Sequence, residues 1–341
     1  MTLHPESEGM EASADLPVGL PDDGADGGSV VSKSPMRLAM GRFRRDKLSM
    51  ISLVIVGLVL LAAIVAPFLV KFGVLDPYTF HNTGKGNLLD EFTLPKGRWG
   101  GISSDHWLGV EPQAGRDALS RFWYGITFSL LIALTASLCA VMFGALLGII
   151  AGFSRGWADT LIGRFIDLTL SFPQTLMLLA LAAIGLQFVK QVTPLEGSAA
   201  EAGYAILVLA AFGWPPTARV IRGQVLSIRE REFIDAAVVL GASRWRIYFR
   251  EILPNLWAPL LVLFTLSLPA YVSAEAALSY LGVSVKPPTP TLGNVLRDSL
   301  QYATADPVYF FAPAILIAVI VISFNLLGDG LRDALDPKGH R

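Results

Sequence analysis

Thiol and imidazole are nearly absent from this chain. Cys139 is the single cysteine, and four histidines (His4, His81, His106 and His340) are scattered along 341 residues. One thiol closes no internal disulfide, and no histidine pair has metal-ligand spacing, so no metal site is expected. Charge is scarce as well: Asp, Glu, Lys and Arg make up 16%, against about a quarter in soluble domains. A net charge of -1 supplies no basic field, so no nucleic-acid partner is expected. The chain also lacks a Gly-x-x-x-x-Gly-Lys-Ser/Thr phosphate loop, so it is not expected to hydrolyse a nucleoside triphosphate itself. Hydrophobic residues are in excess, at 53% with a mean hydropathy of +0.54, which is the balance of a bilayer protein.

Residues 1–36 hold Glu6, Glu8, Glu11, Asp15, Asp22, Asp23 and Asp26, and no Lys or Arg before Lys33. Too little apolar surface is present to offset ordering, so a disordered acidic cytoplasmic tail is expected. It has neither the basic start nor the apolar core of a signal peptide. The sign then reverses at Lys33, Arg37, Arg42, Arg44, Arg45 and Lys47. These lead into the uncharged run Met50–Val70, so residues 37–70 read as a basic stretch and a first membrane helix. A bilayer core of about 30 Å takes about 20 helical residues. Five further runs qualify: 122–154, 168–189, 202–218, 256–285 (interrupted only by Glu275) and 307–328. In lipid every backbone polar group needs an internal partner, so all should be helices. The expectation is an all-α polytopic membrane protein with six transmembrane helices.

Lys and Arg in short loops set the orientation. They crowd before span one, after span two (Arg155, Arg164), after span four (Arg219 to Arg250) and in the 331–341 tail. The loops after spans three and five carry only Lys190, Lys286 and Arg297. Both termini are therefore expected in the cytoplasm of a multi-pass protein of the cell (inner or plasma) membrane. Residues 71–121 would form a solvated extracytoplasmic loop of mixed charge, and 122–330 the core. No internal repeat is evident, which weighs against a carrier with inverted halves.

The segment 222–260 between spans four and five is the most informative. Ser227 with Glu230 reads as a capping box that opens a helix near Ile228. Ala236 and Ala237 permit close approach, and Gly241 stands where a left-handed residue would end that helix. Ser243 can cap a second helix running to Leu253, where Pro254 would break it. Such a knuckle could rest on anionic headgroups as a basic amphipathic hairpin, or dock a cytoplasmic partner. The small pair followed by Gly241 suits protein better than lipid.

Asp235-Ala236-Ala237, then Gly241, then Ile252-Leu253-Pro254 resembles the EAA loop of permeases in binding-protein-dependent ABC importers, with Asp235 where the family usually has Glu. The resemblance spans most of the chain from residue 36. It takes in Phe43–Leu48, Gly115–Arg121, Arg164–Pro173, Glu275–Leu296 and Phe324–Pro337, the last two similar to the second permease subunit for dipeptides and oligopeptides. The resemblance implies the type I importer permease fold and no catalysis by this chain. It also implies a coupling helix at 222–260, a homologous second permease and two cytoplasmic ATPases that hold ATP and Mg. An extracytoplasmic solute-binding protein completes the machine in the bilayer. The implied cargo is a dipeptide or oligopeptide. Nickel chelates or other small solutes are the alternative, and a free-standing carrier or channel is the alternative class.

Glu275 is the one ionisable group inside an expected span. Burial of an acid there requires a cavity or a structural hydrogen bond. It is a possible pathway or gate residue, with the structural role favoured. Pro173 and Pro269 are expected to kink spans three and five, where kinks often line pathways. On this reading, deleting residues 2–30 should leave uptake by the assembled transporter largely intact in a vesicle assay; a large loss would mean that the acidic segment has a partner.

Overall fold

Buried apolar faces on four long helices define the bundle. The computed structural model describes residues 35–97 and 99–335. The acidic segment, Lys33, Arg98, Pro337, Lys338 and Arg341 lie outside the described residues. Helix α1 (Pro35–Arg45) leads into α2 (Lys47–Lys71), whose start is capped by the Asp46 carboxylate accepting from the amides of Leu48 and Ser49. Ser49, Ser52, Val56, Ala63 and Ala66 form the single buried stripe of α2, and its remaining apolar surface faces outward. Pro67 cannot donate to the Ala63 carbonyl one turn back. Thr127 of α3 (Ala118–Phe153) donates its hydroxyl to that carbonyl at 2.8 Å. Trp123 donates to the neighbouring Ala62 carbonyl at 3.0 Å. The proline of one helix is thus satisfied by the side chains of the next.

The loop between α2 and α3 is tied down more firmly than its mixed charge suggests. Arg116 donates to both Glu111 oxygens at 2.7 Å, and Arg121, fully buried at the start of α3, lies 3.1 Å from the same carboxylate. Arg121 also reaches the carbonyls of Pro77 and Pro288, joining the loop to the segment before the short helix α12 (Leu292–Ser299). Breaking such a buried pair costs about 3–5 kcal/mol, because the abandoned charge has no water to take its partner's place.

Four helices among the described residues are long and apolar enough to cross a membrane: Lys47–Lys71, Ala118–Phe153, Arg244–Tyr280 and Pro307–Leu335 (α13). They correspond to expected spans one, two, five and six. The runs at 168–189 and 202–218 are not single straight helices; the first is interrupted at Pro173, where a kink is expected, and the second at Gly213–Pro216. They are assembled from α4 (Trp157–Ser171), α5 (Gln174–Ala180), α6 (Ala182–Val192), α7 (Gly197–Gly213) and α8 (Pro215–Ile228), with α6 and α7 meeting at 114°. The breaks have local causes. Pro173 lacks the amide that would continue α4, and Pro215 with Pro216 interrupts the chain after Gly213. Hydropathy registers apolar length and is blind to such punctuation. Pro269, in contrast, sits inside α11 (Trp257–Tyr280), which continues through it.

Helix α3 is the spine, and glycines let α8 lie on it backbone to backbone. A Cβ at Gly144 would sit 2.6 Å from the Trp214 carbonyl oxygen, one at Gly148 2.8 Å from that of Ala218, and one at Gly152 2.9 Å from that of Arg222. The four-residue spacing keeps all three on one face of α3. Ile221 and Val225 of α8 are buried against this face together with Ile149. A side chain at Gly148 must therefore move a main-chain oxygen as well as the Ile221 side chain. Gly148→Val should lower stability by about 1–3 kcal/mol, the usual range for overpacking. A lower thermal midpoint in detergent checks this; an unchanged midpoint would show that α8 is free to retreat.

Candidate functional site

After α8 the chain makes a short turn and forms α9 (Glu232–Val239), then re-enters the bundle. The expected capping box is absent. Helix α8 runs through Ser227 to Ile228, and α9 begins after Arg231 with no side-chain cap. The reason is tertiary: Ile221, Val225 and Ile228 are buried on α3, and this burial carries the helix past the local start signal. Glu230 instead accepts from Arg229 at 2.9 Å.

The far end of α9 follows the local chemistry. Gly241 has φ +76, its amide bonds the Val238 carbonyl, and the Ala242 amide bonds the Ala237 carbonyl, both at 3.0 Å. This is a Schellman closure, which a left-handed glycine makes without Cβ strain. Ser243 then accepts from the Arg246 amide at 3.3 Å. The next helix does not stop at Pro254. A short α10 (Arg244–Arg246), a π-helical turn Ile247–Ile252 and a 3-10 turn Leu253–Leu256 pass directly into α11. The Leu253 amide reaches back to the Tyr248 carbonyl. This widened turn accommodates the proline ring that would clash in a regular helix.

The knuckle has a buried base and an exposed tip. Ile234, Ile247, Tyr248, Ile252 and Leu256 are buried with Ile149, Ile221 and Val225, and Ala237 and Leu253 pack at the edge of this cluster. Asp235, Ala236, Gly241 and Pro254 are exposed. So are Val238, Trp245 and Phe249, while Val239 and Leu240 are each 86% exposed. The sequence reading passed over these apolar tip residues, although three in a row inside an arginine-rich loop were a visible signal. The first turn of α9 carries Glu232 and Asp235, acids that favour a helix N-terminus.

Several loop arginines already have partners that fasten the knuckle to the bundle. Arg222 donates to both Asp159 oxygens at 2.6 and 3.0 Å, Arg219 to Asp167 at 2.8 Å, and Arg229 to the Gly152 carbonyl at 3.0 Å. The hydrogen bond from Arg222 holds the Asp159 carboxyl below its ordinary range against the opposing effect of burial.

The possible pathway residues do not gather at one place. Glu275 is fully buried, accepting from Ser279 at 2.7 Å and Ser284 at 3.4 Å, with Thr291 donating to Ser279 at 3.0 Å. These hydroxyls bind the C-terminal end of α11 to the cap of α12. Elsewhere a cavity of about 530 Å³ lies between α4 and α5, the α7–α8 junction and α11. Its lining includes Phe172 and Gln174 on either side of Pro173, and Ala270 and Tyr271 just after Pro269.

Residues 144–340 match the family model described as binding-protein-dependent transport system inner membrane component, and residues 34–88 match that of the N-terminal TM domain of oligopeptide transport permease C. The dipeptide transport system permease protein of Alkalihalophilus pseudofirmus is 36% identical over 89% of this chain and 90% of its own. The oligopeptide transport system permease protein of Bacillus subtilis is 35% identical over 90% and 92%. The glutathione transport system permease protein of Pectobacterium atrosepticum is 34% identical over 90% and 92%. Among solved structures, a chain of the inward-facing MetNI methionine ABC transporter superposes with a TM-score of 0.50 at 18% identity, covering 64% of this chain and 97% of that one. That likeness shows the fold. The helical bundle, the glycine-turned knuckle and these matches together make the chain a member of the family of binding-protein-dependent transport system inner membrane components.

Proposed function

We propose that this permease subunit forms one membrane half of an importer for dipeptides and oligopeptides, driven by separate cytoplasmic ATPases. Relatives named for dipeptide, oligopeptide and glutathione transport support a peptide cargo. The observation that carries the coupling role is the exposed apolar tip of the knuckle, Val238 to Leu240, on a turn held by main-chain bonds. Exposed apolar patches rimmed by polar groups mark protein contacts.

In this reading Asp235, Ala236, Ala237 and Gly241 meet the ATPase subunit, which holds ATP and Mg. Ile252, Leu253 and Pro254 pass its displacement to α11, and the Gly144–Gly152 contact passes it to α3. A homologous permease completes the path, and a solute-binding protein delivers cargo at the outer face. Both termini and the knuckle lie in the cytoplasm, which the loop arginines favour. In a Cys139→Ser background, cysteines at the exposed positions Ser103 and Ser227 should label from opposite sides of the membrane. Labelling of both from outside would overturn this topology.

Space around Gly241 is open in this chain, with no neighbour within 4 Å of an added Cβ. Asn tolerates the left-handed region better than most residues, so Gly241→Asn should leave the thermal midpoint of this subunit nearly unchanged. It should still cut ATP-driven peptide uptake about tenfold or more, by intruding on the docked partner. Normal uptake by that variant would count against the coupling role.

A further inference from the structure

One corner of the bundle gathers positive charge that the described chain leaves unpaired. Helix α1 packs against α13, and its buried residues Ala39 and Phe43 share one face. The head of α2 is pinned to the same helix. Ser49 is buried against Gly330, where any Cβ would collide with its hydroxyl. Between these two anchors stand Arg44, Arg45 and Lys47, all exposed. Arg37 and Arg42 already interact within the chain, but no carboxylate among the described residues pairs with the other three. Asp46 is the one acid between Pro35 and Lys71. Its carboxylate is occupied by the start of α2, accepting from the amides of Leu48 and Ser49 and from the Ser49 hydroxyl.

The depth of these cations is set by the helix they precede. The uncharged run Met50–Val70 is about 30 Å long at about 1.5 Å per residue, which is the thickness of the hydrocarbon core. Lys47 falls about 5 Å before it, in the headgroup layer, with Arg44 and Arg45 just beyond. Lys47 also stands at the foot of an apolar stripe. Ile51, Val54, Leu58 and Leu61 follow it at helical spacing and are each 56–60% exposed. From Ile51 to Leu61 the stripe is about 15 Å long, the depth of one leaflet. An acyl chain lying on it brings its phosphate beside Lys47.

We propose that this corner seats the headgroup of an anionic phospholipid, with an acyl chain along the α2 stripe. A zwitterionic headgroup carries its own cation and gains little there. A net negative one answers three unpaired cations, each of which raises affinity about fivefold at an anionic surface. Because α1 and the head of α2 are both fastened to α13, the lipid has no loose segment to order. It bridges the two helices across the break at Asp46. The seat depends on the bilayer alone, and not on the cargo or the ATPase.

The test uses the full chain in its assembled transporter, in vesicles of phosphatidylcholine and phosphatidylglycerol. Val54→Cys in a Cys139→Ser background carries a bimane label, and one lipid at a time is brominated on its acyl chains to quench it. Brominated phosphatidylglycerol should quench about fivefold more effectively per molecule than brominated phosphatidylcholine. Arg44→Gln, Arg45→Gln and Lys47→Gln together should bring the two lipids within about twofold of each other. A label at Ile315→Cys, exposed near the other end of α13, should respond alike in parent and triple variant. Inorganic phosphate should lower the preference no more than sodium chloride of equal ionic strength. Equal quenching by both lipids, quenching by neither, or a preference that survives the triple variant overturns the seat. So does a loss of preference at Val54 and Ile315 alike. A preference abolished by phosphate alone also overturns it and marks a soluble anion. One that emerges only when residues 2–30 are deleted overturns it in favour of the acidic segment.

Discussion

The backbone contact between α3 and α8 is the constraint on which the rest of the structure depends. Gly144, Gly148 and Gly152 bring two main chains together at a distance that any side chain would forbid. Within a bilayer, where burial of apolar surface offers little drive between helices, such close packing is a main source of association. It places Ile221, Val225 and Ile228 where they carry α8 past its local stop, and so sets where the turn into α9 begins. It also fixes Arg222 and Arg229 within reach of Asp159 and the Gly152 carbonyl. The knuckle is thereby an extension of the spine and not a loose loop. Whatever pushes on α9 pushes on α3 as well as on the helix that follows.

Local chemistry was legible wherever the backbone decides by itself. Gly241 and Ser243 do what a glycine after a helix and a serine before one do in any surroundings. Long uncharged runs at 122–154 and 307–328 are helices for the same kind of reason, since lipid leaves the backbone no alternative. Legibility ended where distant residues take over. The Ser227–Glu230 pattern was overruled by burial on α3. Pro254 was absorbed by a π turn that only the packed Ile247–Ile252 segment sustains. Runs 168–189 and 202–218 have the apolar length of a span, yet Pro173 and the Gly213–Pro216 stretch divide them.

Polar groups within the apolar body are handled in two contrasting ways. One oxygen of the buried Glu275 carboxyl accepts from Ser279 and Ser284, which tie α11 toward the cap of α12, while its Oε2 has no hydrogen-bond partner. The Ala63 carbonyl left by Pro67 is likewise answered by Thr127. At the α7–α8 junction the Tyr271 hydroxyl is covered against Gly213 and has no hydrogen-bond partner.

The clamp of Glu111, Arg116 and Arg121 has a mechanical consequence. These buried charges stitch the α2–α3 loop, the head of α3 and the approach to α12 into one piece, and prising them apart leaves ions with no substitute solvent. Among the described residues, the proline-divided stretch from α4 to α8 has its ion pairs at more exposed positions, Arg222 with Asp159 and Arg219 with Asp167. Ion pairs without access to water have nothing to exchange with, so the end of the bundle at the head of α3 holds its shape at a cost that its exposed pairs elsewhere do not impose.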